Sequence, residues 1–272
     1  ELGHLPEIKI EIRAAQAFES LTDGRLTLSN INVSTHSLTL ETRLTASRIN
    51  INGRLSGSGI IHITGPGLVT FRSSQTNTFN GPVQLANGAR LALLSENAAG
   101  GIPSIVGDAF VGDGMMPSDL AISADHQVAG DVVLNSGSRM TMGSSTDFLP
   151  SLALNDANVL IFSGGLLGLA GPVHVGGTSN SVIRGAVTLD AASRNFTISN
   201  NVELRMDGVI SGLNLSIPRP GIIKDGEGTL LLLSNNTFGG NVSINAGRVI
   251  ATEPRSLGGP TTEIAGITVG AT

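Results

Sequence analysis

The chain has 272 residues, a formal net charge of −5 and no cysteine, so it offers no basic run to grip a nucleic-acid backbone, no disulfide framework and no thiolate metal site. Charged residues are only 14%, aromatics 3% with no Trp or Tyr, and glycines number 36. That balance argues against a core filled by large rings and for a narrow interior lined by aliphatic side chains.

In chain order, Glu1 opens without the basic start and apolar core of a signal peptide. Ile8, Ile10 and Ile12 alternate as a strand does. Arg13–Ser20, with Ala14, Ala15 and Ala17, is the best helix candidate, short enough to be a single turn or a capping element. Apolar pairs spaced by two then recur at Leu26/Leu28, Leu38/Leu40, Ile49/Ile51, Ile61/Ile63, Val83/Leu85 and Leu91/Leu93. They continue at Val132/Leu134, Met140/Met142, Leu152/Leu154, Val173/Val175, Val187/Leu189 and Phe196/Ile198. The last are Val202/Leu204, Val242/Ile244 and Ile267/Val269. A spacing of two puts both members of a pair on one face of a strand. Gly, Asn, Asp and Ser separate the pairs and predict tight turns. No stretch approaches the ~18–20 apolar residues of a membrane-spanning helix.

One passage occurs twice. GPGLVTFRSSQTNTFNGPVQLANGARL at 65–91 matches GEGTLLLLSNNTFGGNVSINAGRV at 226–249. Gly65, Gly67, Asn77, Phe79, Gly81 and Gly88 correspond to Gly226, Gly228, Asn236, Phe238, Gly240 and Gly247. Leu55-Ser56-Gly57 stands ahead of the first copy as Ile210-Ser211-Gly212 stands ahead of the second. A repeat of short strands indicates a solenoid, in which each coil packs only on its neighbours. The reading is all-β: a right-handed parallel β-helix (β-solenoid) forming one continuous elongated domain over 1–272, of about a dozen coils. Residues 115–185 read as further, less regular coils between the copies. Asn ladders are expected at Asn77 and Asn236.

Chemistry is sparse. Asp190, Arg194, Glu203, Arg205 and Asp207 are the candidates for a polysaccharide-cleaving site, which needs a carboxylate pair across the scissile bond; solvated outer-face residues are the competing reading. Asp108, Asp113, Asp119, Asp125 and Asp131 recur every five or six residues, and calcium favours such oxygen ligands, but the Gly-Gly-x-Gly-x-Asp nonapeptide is missing and turn-forming Asp explains them better. His4, His36, His62, His126 and His174 are scattered without ligand spacing. No catalytic, cofactor-binding or metal-binding residue is assigned and no cofactor is expected.

The pattern G-x-G-T-L-x-L-S-x-N-N-T-F-x-G-x-V-x-I-x-x-G-x-V at 226–249, followed by Leu257-Gly258-Gly259, resembles the autotransporter-associated β-strand repeat, also called the passenger-associated transport repeat. Residues 65–91 resemble it with a small insertion before Asn77, and 187–212 resemble what precedes it. The resemblance implies a bacterial passenger exported to the cell surface, often through a C-terminal membrane barrel, in which the repeat aids passage and stiffens the stalk. No barrel or other membrane-spanning segment is seen in this chain. The expected function is a non-catalytic structural or adhesive rod, at the outer cell surface or extracellular. Its expected partners are neighbouring coils and a host or matrix surface ligand, with no nucleic acid. The chain is either part of a longer passenger or a subunit that stacks head to tail as a homopolymer. A β-helix polysaccharide lyase or glycoside hydrolase is the alternative.

Overall fold

A computed structural model describes residues 9–21, 23–73, 77–94, 104–212, 219–259 and 267–269. Every regular element among them is a strand, and every strand pairing is parallel. Parallel neighbours need a crossover between them, and here that crossover is the rest of a coil. The strands form one sheet of twelve, from Gln16–Ser20 to Ile267–Val269, and a second of eleven, from Arg25–Leu28 to Arg248–Ala251. Shorter strands make a third face, in one group of four from Lys9–Glu11 to Thr78–Phe79 and another from Thr146–Leu149 to Ile210–Gly212. The arrangement is a parallel β-solenoid, as the repeat predicts.

The register explains the apolar pairs. In the first sheet Leu38 lies over Ile61, Ile61 over Val83, Val83 over Ala109 and Ala109 over Val132. In the second, Ile49, Val69, Leu91, Leu120, Met140 and Val159 follow one another coil by coil. All of these are buried, and they belong to one continuous apolar cluster. Strands stack about 4.8 Å apart, so each column packs side chain on side chain with little room for a ring. Of the eight phenylalanines, only Phe71, Phe79, Phe196 and Phe238 are fully buried.

One expectation is corrected here. The Ala-rich stretch at 13–20 is not helical: Gln16–Ser20 is a strand paired in register with Leu38–Thr42, Phe18 over Leu40 and Ser20 over Thr42. The ladder and the neighbouring apolar column outweigh the intrinsic preference of alanine for helix. Between 115 and 185 the coils continue on the two long sheets; on the third face, among the described residues, the isolated bridge Ile105–Val128 lies between its two groups of strands.

Candidate functional site

Both copies of the repeat build the same corner. Asn77 is buried, and its Oδ1 accepts the backbone N–H of Leu55 at 2.8 Å while its Nδ2 donates to the carbonyl of Ser104. Asn236 is buried likewise; its Oδ1 accepts the N–H of Ile210 at 2.7 Å and its Nδ2 donates to the carbonyl of Ser256 at 2.6 Å. Each side chain therefore joins the coil before it to the coil after it. An amide suits this place because it carries an acceptor and a donor on one flat group. The expected Asn ladders are absent at both positions: each asparagine bonds to backbone above and below, not to another asparagine.

The remaining motif residues surround that corner. Phe79 and Phe238 are fully buried just past it. Gly65 and Gly226 open the turn into the second sheet with φ of 89° and 74°, and a Cβ on either would strike a carbonyl of the preceding coil, Thr42 or Ile198. Gly67 and Gly228 face Ser47 and Ser199 carbonyls with equally little room, and Gly81 and Gly240 lie on the backbone of Gly59 and of Arg219. Gly88 and Gly247 share positive φ, but a Cβ on Gly88 would make only ordinary van der Waals contacts, with Met116 and Pro117.

Two buried ionisable groups escaped the sequence reading. Lys224 is fully buried in the column that runs from Val173 through Phe196 to Ile244. Its Nζ donates to the carbonyls of Asp225, Gly226 and Ala246, at 2.8, 2.6 and 3.2 Å. Burial lowers its pKa, against the opposing pull of Asp225 and Glu227. Asp147 is fully buried on the third face; Oδ1 accepts the N–H of Val128 at 2.9 Å and Oδ2 has no partner. Burial pushes its pKa up to about 7; the amides of Val128 and Gln127 oppose the rise and Asp125 adds to it. Asp147 ends a polar stretch of this face, in which Asn77 reaches Ser104 and the Ser104 hydroxyl donates to Gln127. The signal was present in both cases: alternation puts Lys224 on the face of Ile222, and Asp147 on that of Leu149.

The carboxylates weighed for catalysis are divided. Asp190 faces Arg194 at 3.6 Å, and the Arg194 Nε donates to the carbonyl of Leu169. Asp207 faces Arg184 at 3.2 Å and Arg205 at 3.7 Å. Glu203, Arg205 and Asp207 share the strand Glu203–Asp207, whose two ends lie about 13 Å apart along the backbone by strand rise. The structure thus brings Asp207 and Arg205 together with Arg184, and leaves Asp190 on another face. The recurring aspartates serve turns and ion pairs. Asp108 accepts the N–H of Asp131, Asp125 that of Thr146, and Asp113 those of Met115, Met116 and Asn87, which lower its pKa. Asp119 pairs with Arg139 at 2.9 Å. His36, His62, His126 and His174 lie on different coils, His126 stacked on Phe148, and His4 lies outside the described residues. No group of three or more metal-ligating side chains occurs among the described residues. No helix among them is long and apolar enough to cross a membrane.

A family model, the passenger-associated-transport-repeat, matches residues 222–251. The match runs from the strand Ile222–Asp225 through Asn236 and Phe238 to the strand Arg248–Ala251, and so takes in the whole second corner. Comparison with curated proteins and with solved structures finds no significant match.

Proposed function

We propose that this chain, which carries the passenger-associated transport repeat at 222–251, is a rigid β-solenoid segment of an autotransporter-type passenger. It stands at the bacterial cell surface and serves a structural or adhesive purpose without catalysis. The observation that carries the reading is the coincidence of the family match with the corner that pins three successive coils. A stack of coils pinned this way is stiff along its axis, which suits a stalk. Each coil also packs only on its neighbours, so a chain emerging end first can fold coil by coil, which suits export. The outer faces of Thr, Ser, Asn and Arg present many polar groups to a partner, and the separated carboxylates give no support to the glycan-cleaving alternative.

The test is protease treatment of intact bacteria that make the protein, followed by immunoblotting. Loss of the protein from intact cells, with a periplasmic marker spared, is the expected result. Protection until the cells are lysed would overturn the surface assignment. Release of shorter oligosaccharides from a panel of glycans by the purified chain would overturn the non-catalytic part.

A further inference from the structure

Cations on this rod are almost all arginine: of the 16 basic residues only Lys9 and Lys224 are lysine, and Lys224 is buried. Half of the basic residues follow the second sheet, and in-register stacking lines several up on its outer side. Arg25 pairs with Arg48, Arg48 with Leu68, and Leu68 with Arg90. Further along, from Arg90 to Arg205, the charges are answered. Asp119 takes Arg139 at 2.9 Å and Arg90 at 4.0 Å, and Asp207 takes Arg184 and Arg205. The N-terminal end differs. The strands Arg25–Leu28, Arg48–Ile51 and Leu68–Phe71 contain no Asp or Glu. Among the described residues no carboxylate pairs with Arg25 or Arg48; the Arg48 guanidinium donates to the carbonyls of Thr45 and Ser47. A shallow groove of about 270 Å³ lies here, lined by Arg25, Arg48 and Arg72 with Asn50, Asn52 and Thr70 between them.

We infer that this groove binds an acidic polysaccharide, a chain of sugars bearing carboxylates. Guanidinium forks match the planar carboxylate with two parallel hydrogen bonds. The amides and the hydroxyl between the guanidiniums supply the donors and acceptors that sugar hydroxyls need. Columns running coil to coil suit a linear polymer laid along the rod. The absence of Trp and Tyr means that recognition is ionic and hydrogen-bonded rather than by ring stacking. A densely charged polymer fits less well, because in this groove the charges with no carboxylate partner among the described residues are those of Arg25 and Arg48, on a chain with net charge −5, and a nucleic acid would run on towards Asp119. This goes beyond the rod reading and stands whether or not the rod belongs to a passenger.

The experiment is binding of the full chain to immobilised polygalacturonate at low and at physiological ionic strength, with dextran as the neutral control. Dextran sulfate and single-stranded DNA are the competing polyanions. Retention of polygalacturonate, weakened by salt and absent for dextran, is the expected result. The double variant R25Q/R48Q is expected to lose roughly tenfold or more in affinity, since each charged hydrogen-bond pair lost is worth about that much. Arg139→Gln, in the answered part of the same face, is expected to bind as the native chain does. No retention of polygalacturonate, equal binding by R25Q/R48Q, or tighter binding of dextran sulfate or DNA would each overturn the inference. Should R25Q/R48Q fail to fold, competition on the native chain decides: oligogalacturonate must displace the polymer and neutral oligogalactan must not.

Discussion

The side-chain oxygen of Asn77 holds the backbone N–H of Leu55 at 2.8 Å, one coil back, and its amide reaches forward to the carbonyl of Ser104. Asn236 repeats the arrangement with Ile210 and Ser256. A corner that turns out of strand geometry loses its backbone ladder, and a buried side chain that supplies both missing partners restores it.

Asn236→Ala should therefore destabilise the chain by about 2–4 kcal/mol, because it leaves a buried N–H and a buried carbonyl without partners. Asn200→Ala, at an exposed turn position, should change stability by less than about 0.5 kcal/mol. Urea denaturation of the two variants side by side checks the contrast.

The two glycine classes in the motif should separate. Gly88→Ala meets Met116 and Pro117 at ordinary contact distance and has only the left-handed backbone to strain, about 1–2 kcal/mol. Gly226→Ala has the same strain and also drives a methyl group into the carbonyl of Ile198. Overpacking adds roughly 1–3 kcal/mol, so its melting temperature should fall clearly further than that of Gly88→Ala.

Asp147 makes stability depend on pH in a direction opposite to the usual carboxylate. In the unfolded chain it titrates near ~3.9; in the fold its pKa is about 7, so the fold holds the proton more tightly. Its contribution is fully present below about pH 4 and is lost as pH rises to about 7, a change on the order of 4 kcal/mol. Asp147→Asn keeps the acceptor for Val128 and removes the titration. The variant should gain on the native chain as pH rises, and denaturant melts at about pH 5 and about pH 8 should show the difference widening. Equal differences at both values would show that Asp147 is not held protonated.

Lys224→Met should cost about 1–3 kcal/mol, since three carbonyls lose a charged donor while the apolar stem is kept. Thermal melting of the variant is the check, and unchanged stability would mean that relief from burying the ammonium offsets the lost bonds.

Much of the fold was legible because a solenoid writes itself in sequence twice: as apolar pairs at a spacing of two, and as the repeat from Gly65 to Gly88 and from Gly226 to Gly247. Leu38 and Leu40, or Met140 and Met142, could be placed on the inner face before any coordinates. What was not legible depended on which coil lies on which. Gln16–Ser20 became a strand only because Leu38–Thr42 lies beside it. Asn77 and Asn236 were recognisable as motif residues, but their partners Leu55 and Ile210 lie a coil away, so a ladder of like residues was the natural and incorrect expectation. Lys224 and Asp147 sat on inward positions in plain view; their polar character masked the alternation. The arginine groove could not be read at all, since Arg25, Arg48 and Arg72 are separated in sequence and meet only through register.

The claim on which the rest depends is that the repeat pins adjacent coils through its asparagine. Amide hydrogen exchange, residue by residue, tests it most directly at Leu55 and Ile210. In the native chain both amides should exchange as slowly as those of the strand interiors. In Asn236→Ala the Ile210 amide should lose protection while Leu55, held by Asn77, keeps it. Fast exchange of both amides in the native chain, or an Ile210 amide indifferent to Asn236, would contradict the claim.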